Sequence, residues 1–452
     1  MGLQKKIRVD TSIKKKNAKL NIKYAILQMM FWTCAASAYA YLTQMLQYKG
    51  FTDGQIGVIN AVKLFSTVVF QIVIGVFSDR HAERIQLKYI ISVLTAVALL
   101  LTSVFYEYKL SFVQTVMLFI GFGATFTCIS PLIDSMSIKY MNGGRNINYP
   151  ICRAAGSCAW AVACVLFGVF CDRYDANRLL ILQMLFTVLV ERTQSFTLGQ
   201  SLGFGLGSGL GYVLAVLLVM DDTSSCSDCR ALGARERIAA ANITETRKTE
   251  VHTAGYLLTT YPKYRWFLIG SAVMFMGYNV GTTFLINVFE RLGGNNFHYG
   301  LAEFVMAVSE VPSAFLLIKF RKRISLDKIM LCCAVFMTFK NMFAAFSDNV
   351  WVIVISQGCE MLGFGLFYSG SVNLIEEMLS PADVVKGMSL INAFTVGAGE
   401  GIGALLCGWI NSRYGLTVLM DSSVVISAVS IVCIVIMCRA SNEIHGKIIK
   451  NS

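Results

Sequence analysis

GFGATFTCISPLIDSMSIKYMNGGRNINYPICRAAGSCAWAVACVLFGVFC, residues 121–171, decides how the chain is read. Two apolar helical runs are joined by a polar, Gly- and Asn-rich loop at about Tyr140 to Tyr149, and an acid, a base and an aromatic ring sit inside otherwise membrane-grade sequence. Asp134 precedes the loop and Arg153 follows it. At about 1.5 Å of rise per residue, each lies roughly one to one and a half turns inside its helix. Antiparallel neighbours therefore hold the two charges at similar depth, where they can meet. Trp160 follows Arg153 two turns deeper on nearly the same face, and Gly156, Ser157, Cys158 and Ala159 are small enough to admit another helix or a ligand. A carboxylate and a guanidinium take hydroxyls, and an indole takes the apolar face of a sugar ring. The plainer alternative is that Asp134 and Arg153 neutralise each other and fix helix packing, with Trp160 as filler.

The rest of the 452 residues agrees with a membrane setting. The chain is 55% hydrophobic and 15% charged, with a mean hydropathy of +0.60, whereas a soluble chain carries about 25% charge. Apolar runs of roughly 20 residues recur from end to end, each long enough to cross a bilayer. The net charge of +12 reads as cytoplasmic anchoring rather than nucleic-acid binding, because the bases lie in short loops between the runs. Most of the 14 Cys lie inside apolar runs, where a thiol behaves as a small hydrophobe, and no disulfide framework is implied. Cys226 and Cys229 form a CxxC in a polar loop, without a second pair or a nearby His at zinc spacing.

About twelve spans follow, at roughly 24–46, 54–77, 88–106, 111–139, 150–170, 178–192, 266–289, 299–318, 328–346, 350–375, 387–410 and 415–438. Residues 1–23, with Lys5, Lys6 and Arg8 among their bases, form a cytoplasmic tail, and 439–452 form another. Basic loops at Asp79 to Lys88, Lys139 to Arg145 and Lys319 to Arg323 fall on one side, and the loops between them are short and nearly neutral. Both termini are therefore expected in the cytoplasm. The run from Tyr24 to Leu46 imitates a signal peptide through Ala38 and Ala40, but its length and the spans after it favour a retained helix.

An internal repeat divides the chain. GFTDGQIGVINAVKLFSTVVFQIVIGVFSDR corresponds to GGNNFHYGLAEFVMAVSEVPSAFLLIKFRKR, with Gly57 to Arg80 spaced like Gly300 to Arg323. GVFCDRYD at Gly168 aligns with GWINSRYG at Gly408 and sets Trp160 opposite Glu400. Such repeats, with G-x-x-S-D-R after the second span (Gly75, Asp79, Arg80), resemble the major facilitator superfamily, a fold of two six-helix halves. The resemblance implies an all-α membrane protein of about twelve transmembrane helices in two six-helix pseudo-repeats, residues 24–192 and 266–438. Within the superfamily the chain is most similar to the lactose-permease-like, oligosaccharide:proton symporter branch. Gly50 to Gly57, the run Arg153, Gly156, Trp160 after Asp134, SEVP at Ser309 to Pro312 and QGCEMLGFGLFYSG at Gln357 carry that similarity. The branch has Glu where Asp134 stands, Arg where Lys340 stands, and a His on the tenth helix, where Glu360 or Tyr368 is nearest here.

Residues 193–265 are expected to form an atypical Gly-rich segment and a cytoplasmic linker between the halves, and the text from Glu191 to about Arg237 fits the pattern badly. Leu202 to Met220 adds an apolar, Gly-rich run after Leu179 to Val190, which is too short to span alone, and two full crossings there would invert the second half against its basic loop at Arg321 to Arg323. An insertion, a re-entrant stretch and a corrupted sequence all remain open.

The second half carries its own intramembrane ionisables: Glu303 and Glu310, Lys340, Glu360 and Glu400. Four acids and one base do not cancel, and desolvation disfavours the charged form of a carboxylate, so a proton can come and go there. Glu310, Lys340, Glu360 and Glu400 are the candidate proton-coupling residues, and Asp134, Arg153 and Trp160 the candidate solute site. Glu303 and Lys63 are open to plainer readings, as a helix-end acid and a snorkelling base. No Walker loop, HExxH or nucleophile elbow is present, so enzyme chemistry and ATP hydrolysis are not expected. The expectation is a monomeric secondary transporter of the cytoplasmic membrane that carries a small hydroxylated solute, driven by the proton gradient without a cofactor. A drug or metabolite exporter of the same fold is the alternative within transport. A membrane sensor or ion-pumping redox subunit is the alternative outside it.

Overall fold

The computed structural model describes residues 2–81, 85, 87–142, 147–197, 253–381 and 383–440, and it turns the apolar runs into helices. The first half holds α1 (Gly2–Tyr39), α2 (Leu42–Tyr48), α3 (Asp53–Arg80), α4 (Leu87–Glu107), α5 (Phe112–Asn142), α6 (Tyr149–Cys171) and α7 (Leu179–Thr197). The second holds α8 (Ala254–Thr260), α9 (Pro262–Thr282), α10 (Leu285–Arg291), α11 (Asn296–Glu310), α12 (Ser313–Phe320), α13 (Leu326–Phe346), α14 (Val350–Ser356), α15 (Phe364–Met378), α16 (Val384–Asn392) and α17 (Gly401–Arg439). No strand occurs among the described residues.

Eight helical stretches among the described residues are long and apolar enough to cross a membrane, or nine if the pair Asn17–Tyr39 and Leu42–Tyr48, bent by 41°, is one span. The longest, Val384–Arg439, has 56 residues. At about 1.5 Å per residue it would run about 84 Å, far more than a hydrocarbon core of about 30 Å. Gly415, at φ +83°, breaks it. The helices α11 and α12 part at Val311 and Pro312, where the ring cannot donate a backbone hydrogen bond. The first helix begins at Gly2 rather than near Tyr24, because no Gly or Pro interrupts residues 3–39. The expected linker lies mostly outside the described residues, including Leu202 to Met220, Cys226 and Cys229, and so do the C-terminal residues after Ala440.

The internal repeat has geometric counterparts at the start of each copy and at the crossings of the halves. Gly50 and Gly293 both adopt positive φ, +87° and +75°, ahead of a helix. A capping box starts each of those helices: Thr52 with Gln55 on α3, and Asn295 with His298 on α11. The halves then cross as two pairs, α3 on α17 and α6 on α11. A Cβ on Gly57 would lie 2.6 Å from the Ala404 carbonyl oxygen and 2.8 Å from Gly408 Cα, so only glycine permits that approach. Their repeat partners make the other crossing, with Gly300 against the Cys164 carbonyl and Gly168 against the Asn296 carbonyl.

Hydrogen bonds between the halves gather at the end away from the basic loops. There Thr43 Oγ1 donates to the Thr283 carbonyl at 2.7 Å, Tyr299 Oη to the Ala40 carbonyl at 2.9 Å, and Asn411 Nδ2 to Asp53 Oδ2 at 3.0 Å. Asp172 accepts from Asn296 N at 2.8 Å and Phe297 N at 3.2 Å, so a residue of the first half takes two orphan donors at the start of α11. Among the described residues the cross-half bond farthest from that end is Asn392 Nδ2 to Gln71 Oε1, at 3.4 Å. Among the described residues the cross-half hydrogen bonds therefore concentrate at the neutral end.

Candidate functional site

One stripe of α1 organises the first half. Tyr24, Gln28 and Trp32 follow one another at four-residue spacing, which aligns them on a single helix face. Gln28 Nε2 donates to Asp134 Oδ1 at 3.0 Å and to Tyr24 Oη at 3.0 Å, and Trp32 Nε1 donates to Gln28 Oε1 at 3.1 Å. The Arg153 guanidinium lies over the Trp32 ring, 4.2 Å from its centroid, and Nη1 donates to Ser157 Oγ at 3.1 Å. Trp160 meets Trp32 edge-on at 6.0 Å between centroids. A Cβ at Gly156 would fall 2.5 Å from Trp32 Cδ1, so the small residue between Arg153 and Trp160 makes room for an indole from α1.

Asp134 and Arg153 thus share one neighbourhood but do not form the direct pair that their depths allow. The α1 side chains stand between them. The acid is engaged by Gln28, and the guanidinium rests on a ring. The indole of Trp160 reaches past this group to the Glu303 carboxyl on α11, beside Tyr299.

Lys63 on α3 repeats the theme. Its ammonium donates to Asn60 Oδ1 at 3.2 Å and lies 5.0 Å from the centroid of Tyr39, again a ring of α1. Across the interface it faces Glu400. Neither Lys63 nor Arg153 forms an ion pair among the described residues.

In the second half Lys340 on α13 forms a buried ion pair with Glu360, Nζ to Oε2 at 3.1 Å, with side chains 3% and 0% exposed. Nζ also lies 4.7 Å from the Tyr278 ring centroid and 3.6 Å from Met306 Sδ. Glu360 Oε1 is buried without a hydrogen-bond partner. Glu310 lies near Glu360, Arg153 and Lys340, and so faces the first half as well as its own.

Three of these acids sit where a helix is interrupted. Glu310 is the last residue of α11 before the break at Pro312, Glu360 lies in a 3-10 turn (Gln357–Met361) between α14 and α15, and Glu400 ends a π-helical stretch (Ala393–Glu400). Such interruptions leave backbone groups free of the regular ladder and are common at functional positions. The sequence pointed to continuous spans there. Asp79 and Arg80 close α3 as exposed residues, and a Cβ on Gly75 would meet nothing within 4 Å.

Gln28, Trp32, Tyr39, Asn60 and Tyr278 were not singled out by sequence. The available signal was Tyr24, Gln28 and Trp32 at i, i+4 and i+8, with Tyr39 two turns beyond, a polar and aromatic stripe inside an apolar run.

Two pseudo-symmetric helical halves, closed at one end around charged groups at mid-depth, are the architecture of a membrane transporter. The chain belongs to the MFS_1 like family, whose model matches residues 21–420, and so to the major facilitator superfamily. Among solved structures it is similar to the nucleoside transporter NupG. A point mutant of that protein aligns with a TM-score of 0.70 at 12% identity, over 93% of this chain and 99% of that one. Unmutated NupG aligns at 0.67 and 15%, over 93% and 98%. A bacterial homologue of the human lysosomal transporter Spinster, inward-facing and unoccupied, aligns at 0.61 and 13%, over 94% and 97%. At these identities the likeness is one of fold. No curated protein matches the sequence.

Proposed function

We propose that the protein is a proton-coupled symporter of a small hydroxylated solute, a sugar, an oligosaccharide or a similar molecule, working by alternating access. It resides in the cell membrane with both termini in the cytoplasm, so the hydrogen-bonded neutral end faces outward. The solute is held mainly by the first half, through Asp134, Arg153 and Trp160. The proton is held by the second half, through Glu310 and Glu360 balanced by Lys340, with Glu400 next in line.

The observation that carries this reading is the Glu360 carboxylate, paired to Lys340 through one oxygen while the other is buried without a donor. An ion without a full set of partners costs at least a few kcal/mol at mid-membrane, and a carboxylate can avoid that cost by taking up a proton. Opening to one side hydrates the acid and lets it ionise, while closing dries it and favours protonation. Proton occupancy is then tied to the conformational cycle. The name of the solved neighbour NupG, a nucleoside transporter, adds a ribose-bearing solute to the chemical class worth testing. The test is uptake into proteoliposomes of labelled sugars and nucleosides, with and without an imposed pH gradient. Accumulation that requires the gradient supports symport, and uptake that only equilibrates the solute makes the protein a facilitator.

A further inference from the structure

Tyr368 on α15 is an aromatic ring fixed on one side and open on the other. Phe364, Phe275 and Phe367 hold it, at 4.6, 6.1 and 6.2 Å between centroids. Phe275 and Phe367 are buried, yet Tyr368 is 45% exposed. Val372, one turn on along the same face, is 44% exposed, so the open strip is apolar apart from the phenol oxygen.

Neighbouring elements show where that strip points. Gly365, almost one turn before Tyr368, packs on the end of α11, where a Cβ would lie 3.3 Å from Glu310 Cα. Gly399, beside Glu400, packs on α9, where a Cβ would lie 2.9 Å from Phe275 Cβ. Tyr368 therefore stands between Glu310 and Glu400 and faces both. Intramembrane acids face a bundle interior rather than hydrocarbon, so the open side of the ring lines the space between the halves.

The first-half site borders the same space. The antiparallel crossing of α6 and α11 sets Gly168 on Asn296 and Cys164 on Gly300. That register, continued along both helices, carries Arg153 to the level of Glu310, which it faces. Hydroxyl-binding groups thus come from the first half, and a ring face with an apolar strip comes from the second. Sugar hydroxyls cannot cover such a strip, whereas a planar apolar group can.

We infer that Tyr368 is a specificity-determining residue, the second-half wall of the solute site, and that it selects a hydroxylated solute bearing a planar aromatic group. The group stacks on Tyr368 while the sugar ring remains with Asp134, Arg153 and Trp160. This inference rests on the transport reading above and narrows its substrate class to aryl glycosides or nucleosides.

The experiment measures binding to the purified full chain by calorimetry for two matched pairs: phenyl glucoside with methyl glucoside, and uridine with ribose. The aromatic member of at least one pair should bind about tenfold tighter or more, as one stacked ring provides. Which pair responds separates a simple aryl group from a nucleobase. Tyr368→Leu, which keeps apolar bulk without a ring face, should remove the preference, and Tyr368→Phe should keep it. Equal affinities within both pairs, or a preference that survives Tyr368→Leu, would overturn the aromatic wall while leaving the hydroxylated-solute reading intact. Failure of all four compounds to bind would overturn both.

Discussion

The two halves of the molecule share a repeat but hold their charges in opposite ways. In the first, Arg153 and Lys63 rest on α1 rings, and Asp134 is tied through Gln28 to the indole that carries Arg153. In the second, Lys340 is paired with Glu360 at 3.1 Å, and Glu310 and Glu400 stand at helix breaks without ion pairs among the described residues. A cation on a ring remains available to a ligand, whereas a buried carboxylate without a cation is available to a proton. That difference is the ground for proposing that one half holds the solute and the other the proton.

The largest effect that would sharpen this contrast is on the buried pair. Removing one partner strands a charge and costs about 3–5 kcal/mol, so Lys340→Met should lower the thermal unfolding temperature in detergent markedly. The double variant Lys340→Met with Glu360→Leu should recover most of the loss. If Lys340→Met alone is neutral, the pair is not the electrostatic anchor of the second half.

A smaller loss is expected in the first half. Gly156→Ala drives a methyl group into Trp32, and overpacking of that kind costs about 1–3 kcal/mol. Because the clash reaches the ring under Arg153, solute affinity should fall along with stability, and the added substitution Trp32→Phe should relieve both. An unchanged affinity in Gly156→Ala would separate Trp32 from the solute site.

Smaller again is the closure of the neutral end. Replacing a helix-capping Asp by Ala costs about 0.5–2 kcal/mol, so Asp172→Ala should destabilise the closed end and shift the population toward the outward-open form. A cysteine placed at Ser157 in a background otherwise free of cysteine should then react faster with an impermeant thiol reagent added outside. No change in rate would mean that the Gly57 and Gly300 crossings hold that end without the cap.

The smallest expected change is in Trp32→Phe by itself. It keeps a ring under Arg153 but removes the indole donor to Gln28, a neutral hydrogen bond with a net value of about 0.5–1.5 kcal/mol. Solute affinity should weaken severalfold at most, whereas Trp32→Leu, which removes the ring face as well, should weaken it further. Equal losses in the two variants would show that the seat of Arg153 is not the ring.

Much of the architecture was legible because membrane physics writes it into composition and period. Apolar runs marked helices, and the internal repeat matched Gly57 with Gly300 and Gly168 with Gly408, the glycines that the structure places at the two crossings. The individual charges in the site were also legible, since an ionisable residue in an apolar run is conspicuous. What sequence could not give was their partners. Asp134 and Arg153 have depths that permit a direct pair, yet Gln28 and Trp32 arrive from a helix more than a hundred residues earlier and stand between them. The helix breaks were hidden for a related reason. Glu360 and Glu400 lie in apolar text without proline, and only packing bends the backbone into 3-10 and π geometry there.

The division of labour between the halves is tested most directly by comparing uphill accumulation with solute exchange in the same proteoliposomes. For Glu310→Gln and Glu360→Gln the account predicts loss of accumulation against a gradient with exchange of preloaded solute intact, and for Arg153→Lys, loss of both, because a single ammonium cannot replace the guanidinium fork. Uphill uptake that persists in both glutamine variants under a normal pH gradient would contradict it.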